Sequence, residues 1–276
     1  MAITTTQADT TVGSPSPLNR AVGDAVTVAG RNLLTIVRLP QLLVFSTVQP
    51  VIFVLLFRYA FGGAIQSSLR NGLPYVDYLM PGIFAQTVAF GAMGTGIGLA
   101  EDLQKGLIER FRSLPMARSA VLTGRILADL VRNVFVVVLM CVVGFAVGFR
   151  IHTNPLEFIG GLLVLLLFGC ALSAMFALIG LSVPNAESAQ AAGFPLLAPL
   201  VFASSAFVPV DTMPGWLQGF ATYQPVSVVI NAVRACSVGP KYGPDALPWV
   251  LGGLAWTVGI LAVFGPMAVR RYRRAA

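Results

Sequence analysis

The 276-residue chain is 56% hydrophobic and only 11% charged, with a formal net charge of +7. A soluble domain carries roughly 25% charged residues, so this chain cannot hide its apolar surface in one water-soluble core, and the bilayer is its expected solvent. The basic excess sits in short loops with no soluble basic domain, which argues against nucleic acid as a partner.

In chain order, residues 1–19, MAITTTQADTTVGSPSPLN, are rich in Thr, Ser and Pro and contain no apolar run. They lack the basic start and apolar stretch of a signal peptide, and are expected to be a disordered cytoplasmic tail preceding one transmembrane domain over 20–276. From Arg20 to Leu39, Val22, Val26, Ala29, Leu33, Ile36 and Val37 recur at helical spacing, with Arg31, Thr35 and Arg38 on another face. That pattern predicts an amphipathic helix in the membrane plane, turned into the first span by Pro40.

Six runs then approach the ~20 apolar residues needed to cross a hydrocarbon core. They lie near Leu42–Phe61, Leu79–Ala100, Ile126–Phe149, Phe158–Ser182, Gln190–Val208 and Trp249–Val269. Arg58, near the end of the first, can snorkel to headgroups, or attract anionic substrates if it faces inward. The second holds Gly94 and Gly98, and the third Gly144 and Gly148, at the spacing that lets helix backbones approach. Asp129 is the one carboxylate within these expected spans, with Arg132 three residues on, and the two are expected to form a structural ion pair. Between the fifth and sixth runs, Pro209 to Pro248 is too polar and proline-rich for a span, yet contains MPGWLQGF and PVSVVINAVRA. Two short helices that dip from the outer face and return would fit, as would a plain outer loop; Trp216 and Tyr223 suit an interface.

Twelve of the eighteen Lys and Arg residues fall in one set of loops, including Lys105, Arg110, Arg112, Arg118, Arg125 and the final RRYRR. Short cytoplasmic loops carry such an excess, so both termini are expected in the cytoplasm. The stretch Glu101–Arg125 belongs to that set. Within it Leu103, Leu107, Phe111 and Leu114 share one helical face, Glu101, Lys105, Glu109 and Arg112 surround it, and Pro115 ends it. An apolar ridge flanked by charges, projecting between two spans, is a docking element.

Catalytic chemistry is scarce. No stretch matches G-x-x-x-x-G-K-[ST], the cradle that holds nucleotide phosphates. His152 is the sole histidine, expected in an outer loop; Cys141 and Cys170 fall within spans, and Cys236 is expected on the outer side. Neither a metal site nor a disulfide framework is expected from that set.

The sequence EDLQKGLIERFRSLPMARSAVLTGR resembles the first cytoplasmic loop of type-2 ABC exporter permeases of the daunorubicin/doxorubicin-resistance type. Glu101, Gly106, Glu109, Arg110, Leu114, Pro115 and Arg118 carry the resemblance, and FVPVDTMPGWLQGFATYQPVSVVINAVRA resembles the family's segment between the fifth and sixth spans. The resemblance implies an all-α six-helix permease with an in-plane N-terminal helix, a coupling helix between helices 2 and 3, and a re-entrant outer hairpin between helices 5 and 6. It implies no cofactor on this chain, ATP and Mg on a separate ATP-binding subunit, and a second permease copy, identical or related. The setting implied is a bacterial plasma membrane, where drugs, antibiotics or lipids are exported. Leu107, Phe111 and Leu114 would then meet the ATPase, and Phe84, Phe90, Met93, Phe202 and Phe207 are expected to line an apolar substrate cavity. A self-contained proton-coupled carrier or channel dependent on Asp129, and a non-transporting membrane scaffold, are the rival readings.

Overall fold

The computed structural model describes residues 40–69, 72–106, 118–243 and 245–275, together with positions 23, 27, 29 and 30. Nearly all of the expected tail and in-plane helix therefore lies outside the described residues. All regular structure among them is helical. The helices are α1 (Pro40–Leu56), α2 (Gly62–Gln66), α3 (Tyr75–Gln104), α4 (Arg118–Val147) and α5 (Pro155–Gly180), followed by α6 (Ala186–Phe202), α7 (Gly215–Tyr223), α8 (Pro225–Val238) and α9 (Ala246–Ala275). A π-helical turn, Phe57–Phe61, joins α1 to α2, so that the continuous helix Thr47–Gln66 becomes span-length.

Among the described residues, five helical stretches are long and apolar enough to cross a membrane: Thr47–Gln66, Tyr75–Gln104, Leu122–Val147, Pro155–Gly180 and Ala246–Arg274. The expected run Gln190–Val208 differs. Its helix, α6, starts earlier and stops at Phe202 after 17 residues, with Pro195 and Pro199 inside. At 1.5 Å per residue that is about 25 Å, short of a ~30 Å core. Residues 203–208 leave the helix and yet Ser204, Ser205, Ala206 and Phe207 are buried.

The long helix α3 is the axis of the molecule. From Tyr75 through Ala89 every residue is buried, against α5, α6, α4 and α8. Apolar side chains on all faces suit a helix enclosed by others rather than one with a single greasy stripe. Its closest neighbour is α5, and the reason is glycine. A methyl at Gly96 would lie 2.5 Å from the Phe176 carbonyl oxygen, and one at Gly180 would collide with the Gly96 carbonyl. The backbones touch there because neither residue has a Cβ. The spaced pair Gly94 and Gly98 does something else: both lie under arginine side chains of α4, Arg132 and Arg125. Gly144 packs on Met80, whereas Gly148, at φ +109°, closes α4 in a left-handed conformation.

By contrast α9 and much of α4 turn Val131, Phe135, Val138, Trp256, Val258 and Val263 outward. In water such a surface would be an association hazard; in lipid it is the expected wall.

Candidate functional site

At one end of the bundle α3 stops. Gly106 takes φ +64° and its N–H bonds the Leu103 carbonyl at 3.0 Å, a left-handed helix terminator that most other residues would strain. One turn earlier Glu101 pairs with Lys105 at 3.3 Å, and Asp102 reaches the Arg125 guanidinium at 2.5 Å across to α4. This second pair, largely shielded, clamps the base of the connection 107–117. Beneath it Leu99, Leu122, Ala177, Leu181, Ala268 and Tyr272 form a small core joining α3, α4, α5 and α9. Arg271 donates from Nε to the Leu181 carbonyl at 3.3 Å, fixing the basic end of α9 to the same platform. Of the residues predicted for docking, Glu101 and Gly106 stand here and Arg118 opens α4. Leu107, Glu109, Arg110, Phe111, Leu114 and Pro115 lie outside the described residues.

Farther along α4, Asp129 and Arg132 lie 3.5 Å apart. Each also engages α3: the Thr95 hydroxyl donates to Asp129, and Arg132 donates to the Gly91 carbonyl at 2.5 Å. The pair is thus a cross-link between helices, with acceptor and donor both used.

The five predicted cavity residues do not converge. Phe84 is fully buried, edge-on to Phe149 at 6.2 Å. Phe90 meets Phe194 of α6 at 6.2 Å, and Met93 packs over Gly193 one turn along. Phe202 and Phe207 belong to a separate aromatic stack with Phe53 and Phe57, where the Phe57 and Phe207 rings lie 4.5 Å apart at 16°. The π-helical turn that begins at Phe57 thus lies against the irregular segment after α6.

The other end of the bundle is organised around the arginine of the PVSVVINAVRA piece. Arg234 of α8 is 8% exposed, with its guanidinium 3.7 Å from the Tyr78 ring centroid. It donates to the Tyr78 carbonyl from Nε at 3.2 Å and from Nη2 at 3.1 Å, to the Ser205 carbonyl at 2.6 Å and to Asn231 Oδ1 at 2.7 Å. Tyr75 and Tyr78 hydroxyls donate to the Phe207 and Ser205 carbonyls at 2.9 and 3.0 Å. The Ser205 amide donates to Ser227 Oγ at 3.1 Å, and Gln224, which caps α8, reaches the Leu200 carbonyl at 2.7 Å. Irregular backbone at this depth persists because side chains of α3 and α8 satisfy it. Gly82 completes the fit, since a side chain there would strike Ala206.

One further placement corrects the expected spans. α3 begins at Tyr75, so Asp77 falls within a long apolar helix, 1% exposed, accepting from the Arg150 amide and facing His152 Nε2, both at 2.8 Å. Cys236 is buried on α8. The signal for Arg234 was legible: Asn231 and Arg234 are polar residues three apart inside an otherwise apolar helix, a pattern that points to a role.

These features define a multi-pass, all-helical membrane protein with a clamped connection at one end and a buried polar network at the other. A family model, ABC-2 type transporter, matches residues 25–237. The chain is 34% identical over 254 residues to a daunorubicin resistance ABC transporter permease of Streptomyces coeruleorubidus, covering 92% of this chain and 87% of the relative. It is 31% identical over 240 residues to a probable doxorubicin resistance ABC transporter permease of Mycobacterium tuberculosis, covering 84% and 81%. A doxorubicin resistance permease of the same species is 31% identical over 211 residues, 72% of this chain and 71% of its own length. The chain belongs to the ABC-2 type transporter family and is a membrane permease.

Proposed function

We propose that this permease is the membrane half of an ATP-driven exporter of amphipathic drugs or lipids, energised by a separate ATP-binding subunit that holds ATP and Mg. The observation that carries the reading is the likeness over 92% of the chain to a permease named for daunorubicin resistance. The clamped connection supports it: a docking helix can transmit force only if its base is held, and Asp102, Arg125 and the platform beneath them hold it. In this reading that end is cytoplasmic, as the Lys and Arg distribution requires, and both termini lie there. α6 with its buried extension acts as the sixth crossing, and α7 and α8 form a re-entrant cap at the outer end. Two permease copies enclose the substrate path. ATP-driven closure of the partner pushes on Leu107, Phe111 and Leu114 and rocks the copies apart or together. Phe90, Met93, Phe202 and Phe207 then offer apolar contacts along α3 and α6, while Phe84 packs the interior.

The test is affinity purification from the native membrane in mild detergent, with mass spectrometry of what co-purifies. A stoichiometric ATP-binding subunit is expected, and it is lost from Phe111→Asp while the permease stays monodisperse. Its repeated absence from intact wild-type permease would overturn the reading.

A further inference from the structure

Beside Arg234 lies a cavity of about 410 Å³, between α3, α8 and the segment leading into α9, in the size range of small-molecule sites. Leu69, Leu73, Val238 and Trp249 form its apolar wall, and Arg234 and Asn231 its polar floor. Every acceptor bonded to the guanidinium is neutral, and none of the ion pairs among the described residues includes it. The hydrogen bonds are satisfied but the charge is not. A buried cation in low dielectric, without a counter-charge, favours an anion beside it.

Asn231 supplies the donor. Its Oδ1 accepts from Arg234 at 2.7 Å and from Ser205 Oγ at 3.0 Å. Arginine can only donate, so the amide orientation is fixed and the NH2 group points the other way. That group has no hydrogen-bond partner among the described residues, and Asn231 lines the cavity. The contact from Arg234 Nη1 to Ser205 Oγ, at 3.5 Å, is the weakest around the guanidinium and the one most readily exchanged for a ligand oxygen. One negative side chain also lines the cavity, Asp211, which is exposed and forms no ion pair with Arg234 among the described residues.

We infer that this cavity binds an anionic amphiphile, with a phosphate-type oxygen on Asn231 Nδ2 and Arg234 and the tail along Leu73 and Trp249. The exporter reading determines only which leaflet the cavity faces, and the binding test below contains no ATPase and fails or succeeds apart from it.

Full-length permease in neutral detergent is titrated with phosphatidylglycerol or with phosphatidylcholine of the same acyl chains, and bound lipid is read by native mass spectrometry. Wild type is expected to hold one phosphatidylglycerol about tenfold more tightly than phosphatidylcholine, the worth of one charge-assisted contact. Asn231→Asp keeps the oxygen that Arg234 and Ser205 need, replaces the free donor by a negative charge, and is expected to abolish the preference without lowering thermal stability. Displacement by millimolar inorganic phosphate would show that the head alone suffices, and its failure that head and tail are both held; either sustains the anion site. Equal binding of the two lipids to wild type overturns the inference whether or not the variant folds. So does a preference that survives Asn231→Asp and vanishes when Arg270, Arg271, Arg273 and Arg274 are changed to Gln, which would place the lipid at the basic end of α9.

Discussion

Where α3 meets α4, Asp102 and Arg125 neutralise one another at 2.5 Å, whereas at the far end of α3 Arg234 is held only by carbonyls, a hydroxyl and an amide oxygen. The first arrangement ties the end of α3 to the first turns of α4. The second stitches non-helical backbone, Ser204 to Phe207, into the bundle. A local pair suffices when both partners are helical and their own backbones are satisfied. A five-donor fork is needed when two carbonyls and a side chain must be met at once.

The contrast breaks most visibly at Arg234. Arg234→Met removes both guanidinium bonds from the Tyr78 carbonyl and leaves the Ser205 carbonyl with the Tyr78 hydroxyl alone, so a net loss of about 2 kcal/mol is expected. Thermal unfolding in detergent, followed by tryptophan emission, checks it, and Arg234→Lys should fall between, because an ammonium cannot span the same three acceptors. A variant more stable than wild type would mean that the guanidinium is retained against its desolvation cost for a ligand, not for the fold.

Asp102→Arg should cost less, about 1 kcal/mol, since the pair is only partly shielded. Its larger effect is on coupling: like charges part the base of the connection, and stimulation of the partner's ATPase by substrate should fall while folding is kept. Exchanging the two residues, Asp102→Arg with Arg125→Asp, should restore both. Failure of the exchange to rescue would mean that Arg125 acts through its position over Gly98 and not through Asp102.

Much of this was legible beforehand because span-length apolar runs and breaker residues are local signals. Gly106 stands where α3 ends, and the Asp129 and Arg132 spacing placed both on one face of α4. The fifth run was misjudged at its end for an equally local reason: Val201 to Val208 is apolar enough to extend a helix, and only the carbonyl partners on Tyr75, Tyr78 and Arg234, 132 to 29 residues away in sequence, let the chain leave it. No window of sequence contains those partners. The aromatic residues pose a different question. Composition says that phenylalanines line apolar space, but whether that space is a cavity or a packed interior, as for Phe84 against Phe149, depends on which face of α3 each occupies.

The smallest expected effect on transport belongs to Asp129→Asn. The amide keeps its oxygen for Arg132 and turns its NH2 to the Thr95 hydroxyl, which can accept, and Arg132 keeps the Gly91 carbonyl, so the link between α3 and α4 survives with about 1 kcal/mol lost. ATP-driven uptake of a fluorescent amphipathic drug into inverted vesicles should be unchanged within error. A self-contained proton-coupled carrier would behave in the opposite way, because its one carboxylate at this depth would have to bind and release the proton. That carboxylate already accepts from a hydroxyl and faces a guanidinium. A transport cycle that needed Asp129 to change charge would have to break both contacts each time, and loss of efflux in a folded Asp129→Asn protein would show that it does.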